Sequence, residues 1–181
     1  MRLFSLFLIF TALACGGSSK TAKHGETTSL SVRLGAQSPY IAFSAPDWHR
    51  DPGNAQPDQI VLHHSEHNGV GMALWVVDAN PGSTVEATNT QFGMMLLTAP
   101  LLFKVTEVSD PEYLSDEEAI FLIRGTDWKK GTKMVALCRV KIVSGHGAAY
   151  WVKMITFGPE ARLAQLGVAT YRVLQSLHVE P

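Results

Sequence analysis

The chain has two cysteines, Cys15 and Cys138, in 181 residues, so no disulfide framework is available. Cys138 falls in the middle of a predicted strand and reads as a small buried apolar residue. Charge of one sign is equally lacking, with 15 Lys+Arg against 16 Asp+Glu and no basic run longer than Lys129-Lys130. That balance disfavours nucleic-acid binding, and along the sequence it offers no polybasic patch for anionic lipids. No G-x-S-x-G elbow is present to present a nucleophile for acyl transfer. Gly125-Thr126 and Gly131-Thr132-Lys133 lack the spacing of a phosphate-binding loop. Asp116, Glu117 and Glu118 are consecutive carboxylates, which read as a solvated start to an element rather than a walled-off acid/base pair.

Long hydrophobic runs are also missing. The longest N-terminal one, residues 3–14, follows Arg2 and spans twelve residues, short of the roughly 20 that a membrane-crossing helix needs. It reads as the core of a signal peptide, residues 1–14. Ala12-Leu13-Ala14 fits the small-x-small pattern of ordinary cleavage, while Cys15 directly after Ala14 resembles the lipobox of bacterial lipoproteins. A cysteine at the cleavage point, with no partner cysteine nearby and followed by Gly16-Gly17-Ser18-Ser19, is best explained as a lipidated residue carrying more than one acyl chain, palmitate among the candidates. Residues 15–29 then form the anchor and its tether. The stretch 16–29 carries no large apolar side chain, and as a flexible coil it has a root-mean-square reach of about 20 Å. By resemblance to other bacterial lipoproteins, Gly16 after the cysteine implies an outer membrane, the alternative being a secreted or periplasmic chain.

Residues 30–181 remain for one globular domain, large enough to bury a core of its own. Leu30, Val32 and Leu34 alternate as a short strand, 40–45 is a second, and 47–57 is a polar loop holding Trp48. Residues 60–67 and 70–78 flank Asn68-Gly69, the strongest short hairpin signal in the chain. A two-residue turn there sets Leu62 opposite Trp75 and Ile60 opposite Val77, with His63 opposite Leu74. Ser83 and Glu86 are spaced as a capping box for a helix whose inner face is Val85, Thr88, Phe92, Met95, Leu96 and Ala99; Gly93 weakens it and Pro100 ends it. Residues 101–108 read as a strand, 109–113 as a turn and 119–125 as a buried strand, its apolar run being too short for a helix.

Residues 133–143 and 148–157 form a second hairpin, turning around Gly145 and His146, with Val143 opposite Ala148 and Val140 opposite Trp151. Met134, Ala136, Cys138, Val140 and Ile142 share one of its faces. After Phe157 the period changes, and Leu163, Leu166, Thr170, Val173, Leu174 and Leu177 recur at helical spacing behind Gly158-Pro159.

His63, His64 and His67 with Glu66 are the one cluster of metal-ligand type, suited by chemistry to zinc or copper. Strand geometry works against it, since His63 and His64 point to opposite faces and His63 and His67 stand roughly 13 Å apart along an extended chain. A hairpin tip that titrates in solvent is the plainer reading. Trp48 and Trp128 are the candidate partner contacts; for Trp48 the competing reading is a ring folded back onto the core.

The stretch Phe43-Ser44-Ala45-Pro46-Asp47-Trp48, and the close from Ala148-Ala149-Tyr150-Trp151 through a helix to Leu174-Gln175-Ser176-Leu177, resemble the Mog1/PsbP-like fold, which includes small bacterial lipoproteins. The resemblance spans residues 38–179. It implies an α+β architecture, an antiparallel sheet with helices on both faces, and a family of accessory and binding proteins with no shared catalytic set. The expected function is therefore a membrane-tethered, non-catalytic binding domain with an envelope protein as partner and no cofactor. An exported metal-binding protein using the histidine hairpin is the alternative.

Overall fold

The computed structural model describes residues 30–181 except 36–38, 52, 54–55, 81 and 86–88. The expected signal segment, the expected lipidation site Cys15 and the expected tether lie outside the described residues, as do Glu86 and Thr88 of the expected helix. The chain runs β1 (Leu30–Leu34), β2 (Tyr40–Ala45), β3 (Trp48–Arg50), β4 (Gln59–His64), β5 (Gly71–Ala79) and α1 (Asn89–Leu102). It continues through β6 (Lys104–Val108), β7 (Glu112–Ser115), β8 (Glu118–Thr126), β9 (Lys133–Gly145) and β10 (Ala148–Pro159). A 3-10 turn, α2 (Leu163–Ser176) and β11 (His178–Glu180) close it. Every strand pairing is antiparallel. One sheet runs in the order β3-β4-β5-β10-β9-β8-β6, with β7 added on β8, and a smaller one runs β1-β2-β11.

The β9–β10 hairpin is the spine of the large sheet. Its turn is His146-Gly147, both at positive φ, 51° and 77°, the pair of left-handed residues that a tight primed turn requires. Gly145 therefore pairs with Ala148 and Ile142 with Trp151, two residues from the expected register. An even slip preserves the faces. Ala136, Cys138, Val140 and Ile142 accordingly lie together in one core.

Alternate side chains of β10 feed two cores. Tyr150, Val152 and Met154 pack with Leu166, Ala169, Val173 and Leu174 of α2 and with Ile41 and Phe43 of β2. Trp151, Ile155 and Phe157 pack with Phe92, Met95 and Ala99 of α1, with Phe103, and with Phe121 and Ile123 of β8. Two threonines in the first core satisfy each other: the Thr156 and Thr170 hydroxyls are hydrogen-bonded at 2.8 Å, and Thr170 also donates to the Leu166 carbonyl. β8 is a strand as expected, alternating buried Ala119, Phe121 and Ile123 with half-buried Ile120 and Leu122.

Further sequence expectations are corrected. The first hairpin does not turn at Asn68-Gly69 alone. His64 is held against Trp48 of β3, and the Ser65 amide donates to the Asp47 carbonyl at 2.9 Å, so β4 leaves β5 early and the connection spans 65–70. Leu62 then faces Met72, Ile60 faces Leu74 and His63 faces Gly71. This three-residue displacement is odd and exchanges the faces of β5 relative to β4; Met72 and Leu74, not Trp75 and Val77, join Ile60 and Leu62 in the core.

The helix expected from Ser83 begins at Asn89 and runs through Pro100 to Leu102, while Ser83 lies outside it. Pro100 sits near the C-terminal end, and the Leu96 carbonyl that loses a donor belongs to an exposed residue, so water can replace the missing bond. Part of the expected strand 101–108 is thus helix, and the expected turn 109–113 runs into β7.

Candidate functional site

The turn that follows β2 carries Pro46 and Asp47, and β3 then pairs with β4 so that Trp48 lies beside His64 and His49 beside His63. Strand alternation sends the two histidines of β4 apart. His63 sits near His49, ring centroids 5.8 Å apart, with its Nε2 3.5 Å from Asp51 Oδ2. His64 turns to the other side, its ring 5.0 Å from that of Trp48, edge to face, and stacked on His67 at 4.5 Å and 17°. The Glu66 amide donates to His64 Nδ1 at 3.2 Å, which assigns the proton of the neutral ring to Nε2.

From the opposite side α2 closes the site. Arg172 donates to Asp47 Oδ2 at 2.9 Å, tying the helix to the β2–β3 turn. Between them lies an open cleft of about 370 Å³, with Asp47, His64, Glu66 and His67 on one wall and Gln165, Val168 and Arg172 on the other. Partial burial holds the His64 imidazolium below its ordinary range, and His67 adds to that; Asp47 and Glu66 oppose it. The arrangement is a mixed-charge groove around an apolar strip from α2, suited to contact a polypeptide segment.

The expected metal constellation is divided. His64, Glu66 and His67 meet in the cleft, whereas His63 faces Asp51 and His49. Stacked imidazoles present ring faces to one another, while a ligand must aim an in-plane lone pair at the ion. Among the described residues no three His, Cys, Asp or Glu side chains are grouped to hold a metal.

Trp48 is 4% exposed and packs on the core, which makes it a packing ring rather than a surface contact. Trp128 is 62% exposed. Cys138 is buried, and burial pushes its thiol far above the ordinary range, so it is no nucleophile. Sequence reasoning missed Asp47 and Arg172 as site residues: they are 125 positions apart, and no local spacing marks such a pair.

No protein-family model matches the chain, and no characterised protein matches it by sequence. Solved structures do. The Ran-binding protein Mog1p of Saccharomyces cerevisiae is similar at 12% identity over 84% of this chain and 96% of that one, with a TM-score of 0.50. LpqN, involved in cell envelope biogenesis of Mycobacterium tuberculosis, matches at 14% identity over 85% and 92% of the two chains with a TM-score of 0.49. The cyanobacterial PsbP of Synechocystis matches at 12% over 89% and 98%, with a TM-score of 0.46. The likeness is one of fold, and the fold is Mog1/PsbP-like.

Proposed function

We propose, from the Mog1/PsbP-like fold as premise, that the chain is a lipid-tethered lipoprotein of a cell envelope that acts without catalysis, binding a protein partner in the cleft between α2 and the 65–70 loop. α2 and α1 pack in separate cores fed by alternate side chains of β10, and the cleft lies along α2. The carrying observation is the cleft itself, which the charged Asp47, Glu66 and Arg172 line together with the exposed, apolar Val168. An apolar centre with a charged rim is the anatomy of a protein contact. Mog1p, of the same fold, is a Ran-binding protein, which supports protein binding as a use of this architecture.

The tether at Cys15 and the outer-membrane location rest on the N-terminal sequence, with a secreted or periplasmic chain as the alternative. The test is a photo-crosslinking residue at Val168, compared with one at the exposed Leu114 of β7, in intact cells. A discrete product from Val168, lost on Arg172→Glu and absent from Leu114, is expected. Identical products from both positions, or none from Val168, contradict the proposal.

Pairing of His64 and His67 beside Glu66 keeps a metal-binding reading as the second one. Isothermal titration with zinc and copper separates the two, because saturable tight binding lost on His64→Ala with His67→Ala, and kept in His63→Ala, favours the metal.

A further inference from the structure

The four lysines nearest the β8–β9 loop are scattered in sequence but gathered by the fold. Thr126 pairs with Lys104 on β6 and with Lys133 on β9, so these two lysines flank it roughly 10 Å apart. The connection between β8 and β9 carries Trp128, Lys129 and Lys130, and all four lysines are exposed. One carboxylate belongs to this loop, Asp127, and it accepts the backbone amides of Lys129 and Lys130 at 2.9 and 2.6 Å. The local balance is therefore strongly positive on a chain whose formal charge is −1.

The same end of the sheet receives the C-terminus of α1. Leu101 lies three residues before Lys104, within about 11 Å along the chain, and Leu97 lies one turn earlier on the same helix face. They are 73% (Leu97) and 56% (Leu101) exposed, and α1 contains no charged residue. An exposed indole, two exposed leucines and four ammonium groups thus share one end of the molecule. Trp and Lys are the residues that anchor proteins at the boundary between acyl chains and headgroups, and clustered lysines attract anionic lipid.

We propose that this end docks on an anionic phospholipid bilayer, with Trp128 seated in the headgroup boundary and Lys104, Lys129, Lys130 and Lys133 against phosphate. Charge complementarity selects a bilayer over an apolar protein groove, because none of the four lysines is ion-paired among the described residues, Asp127 is the one carboxylate of their loop, and Glu107 and Glu160 are taken up by Arg124. It deepens the reading that the domain works at a membrane: the tether brings the chain near the surface, and this end sets its orientation. It departs from the expectation of no polybasic patch, which considers net charge and linear runs alone.

The full chain is reconstituted into phosphatidylcholine vesicles with or without phosphatidylglycerol, and tryptophan emission is followed with bromine-labelled acyl chains as quencher. Any N-terminal attachment is common to all samples. Expected in the anionic vesicles is a blue-shifted, quenched component that disappears in Trp128→Phe and in high salt. Each lysine neutralised lowers the docked-to-undocked ratio about fivefold, so Lys129→Gln with Lys130→Gln lowers it about twenty-five-fold. Equal quenching in neutral vesicles, or a component that survives Trp128→Phe, overturns the proposal. The same spectral change from inorganic phosphate alone, or from raising protein concentration without vesicles, also overturns it, in favour of a small-anion site or self-association. A chain that joins neither kind of vesicle overturns this proposal and the membrane-tether reading together, whereas one that joins both without Trp128 responding overturns this proposal alone.

Discussion

The rings of His64 and His67 are stacked at 4.5 Å in the wall of the cleft, with the Trp48 ring edge-on to His64. Two imidazoles in this position cannot both protonate without repulsion, and His64 is in addition partly withdrawn from water.

Stability should fall as the pH drops from about 6.5 toward the lower, folded-state pKa of His64. The folded state holds the His64 pKa below the unfolded value of about 6.5, so in that window the unfolded chain binds more protons and stability rises with pH. The contribution is whole above about 6.5 and is lost as pH falls. Melting temperature against pH should show this slope, and His64→Phe should flatten it; an unchanged slope contradicts the assignment.

Leu166→Asp should destabilise the domain by more than about 3 kcal/mol, because it removes a buried side chain of the α2 core and places a charge there. Urea unfolding measures it. A loss below about 1 kcal/mol would mean that α2 is not packed as described.

Two glycines should respond with opposite sign. A Cβ on Gly125 meets the Lys104 carbonyl and the Phe103 ring, so Gly125→Ala should cost about 1–3 kcal/mol and loosen β6. Gly93 in α1 has nothing within 4 Å of an added Cβ, and Gly93→Ala should gain about 0.5–1 kcal/mol. Thermal melts of the pair provide the check.

What the sequence made legible was whatever depended on period alone. The faces of β9 survived a misplaced turn because the error was even, and β8 was readable as a strand from the length of its apolar run. Tertiary competition erased the rest. The Asn68-Gly69 signal lost to β3, which captures His64 and Ser65 and shifts β5 by an odd number. β7 gave no pattern to find, since all four of its residues are exposed. The cleft depends on Asp47 meeting Arg172, and the basic end depends on Thr126 standing between Lys104 and Lys133. Both are products of strand order, which composition does not carry.

The account's central claim is that this domain works from a lipid tether at a membrane, and mass spectrometry of the mature N-terminal peptide tests it most directly. The account predicts a chain that begins at Cys15 with acyl groups on its thiol and its amine, the multiple attachment that stable anchoring needs. A chain that begins at an unmodified Cys15, or one that retains residues 1–14, would contradict it.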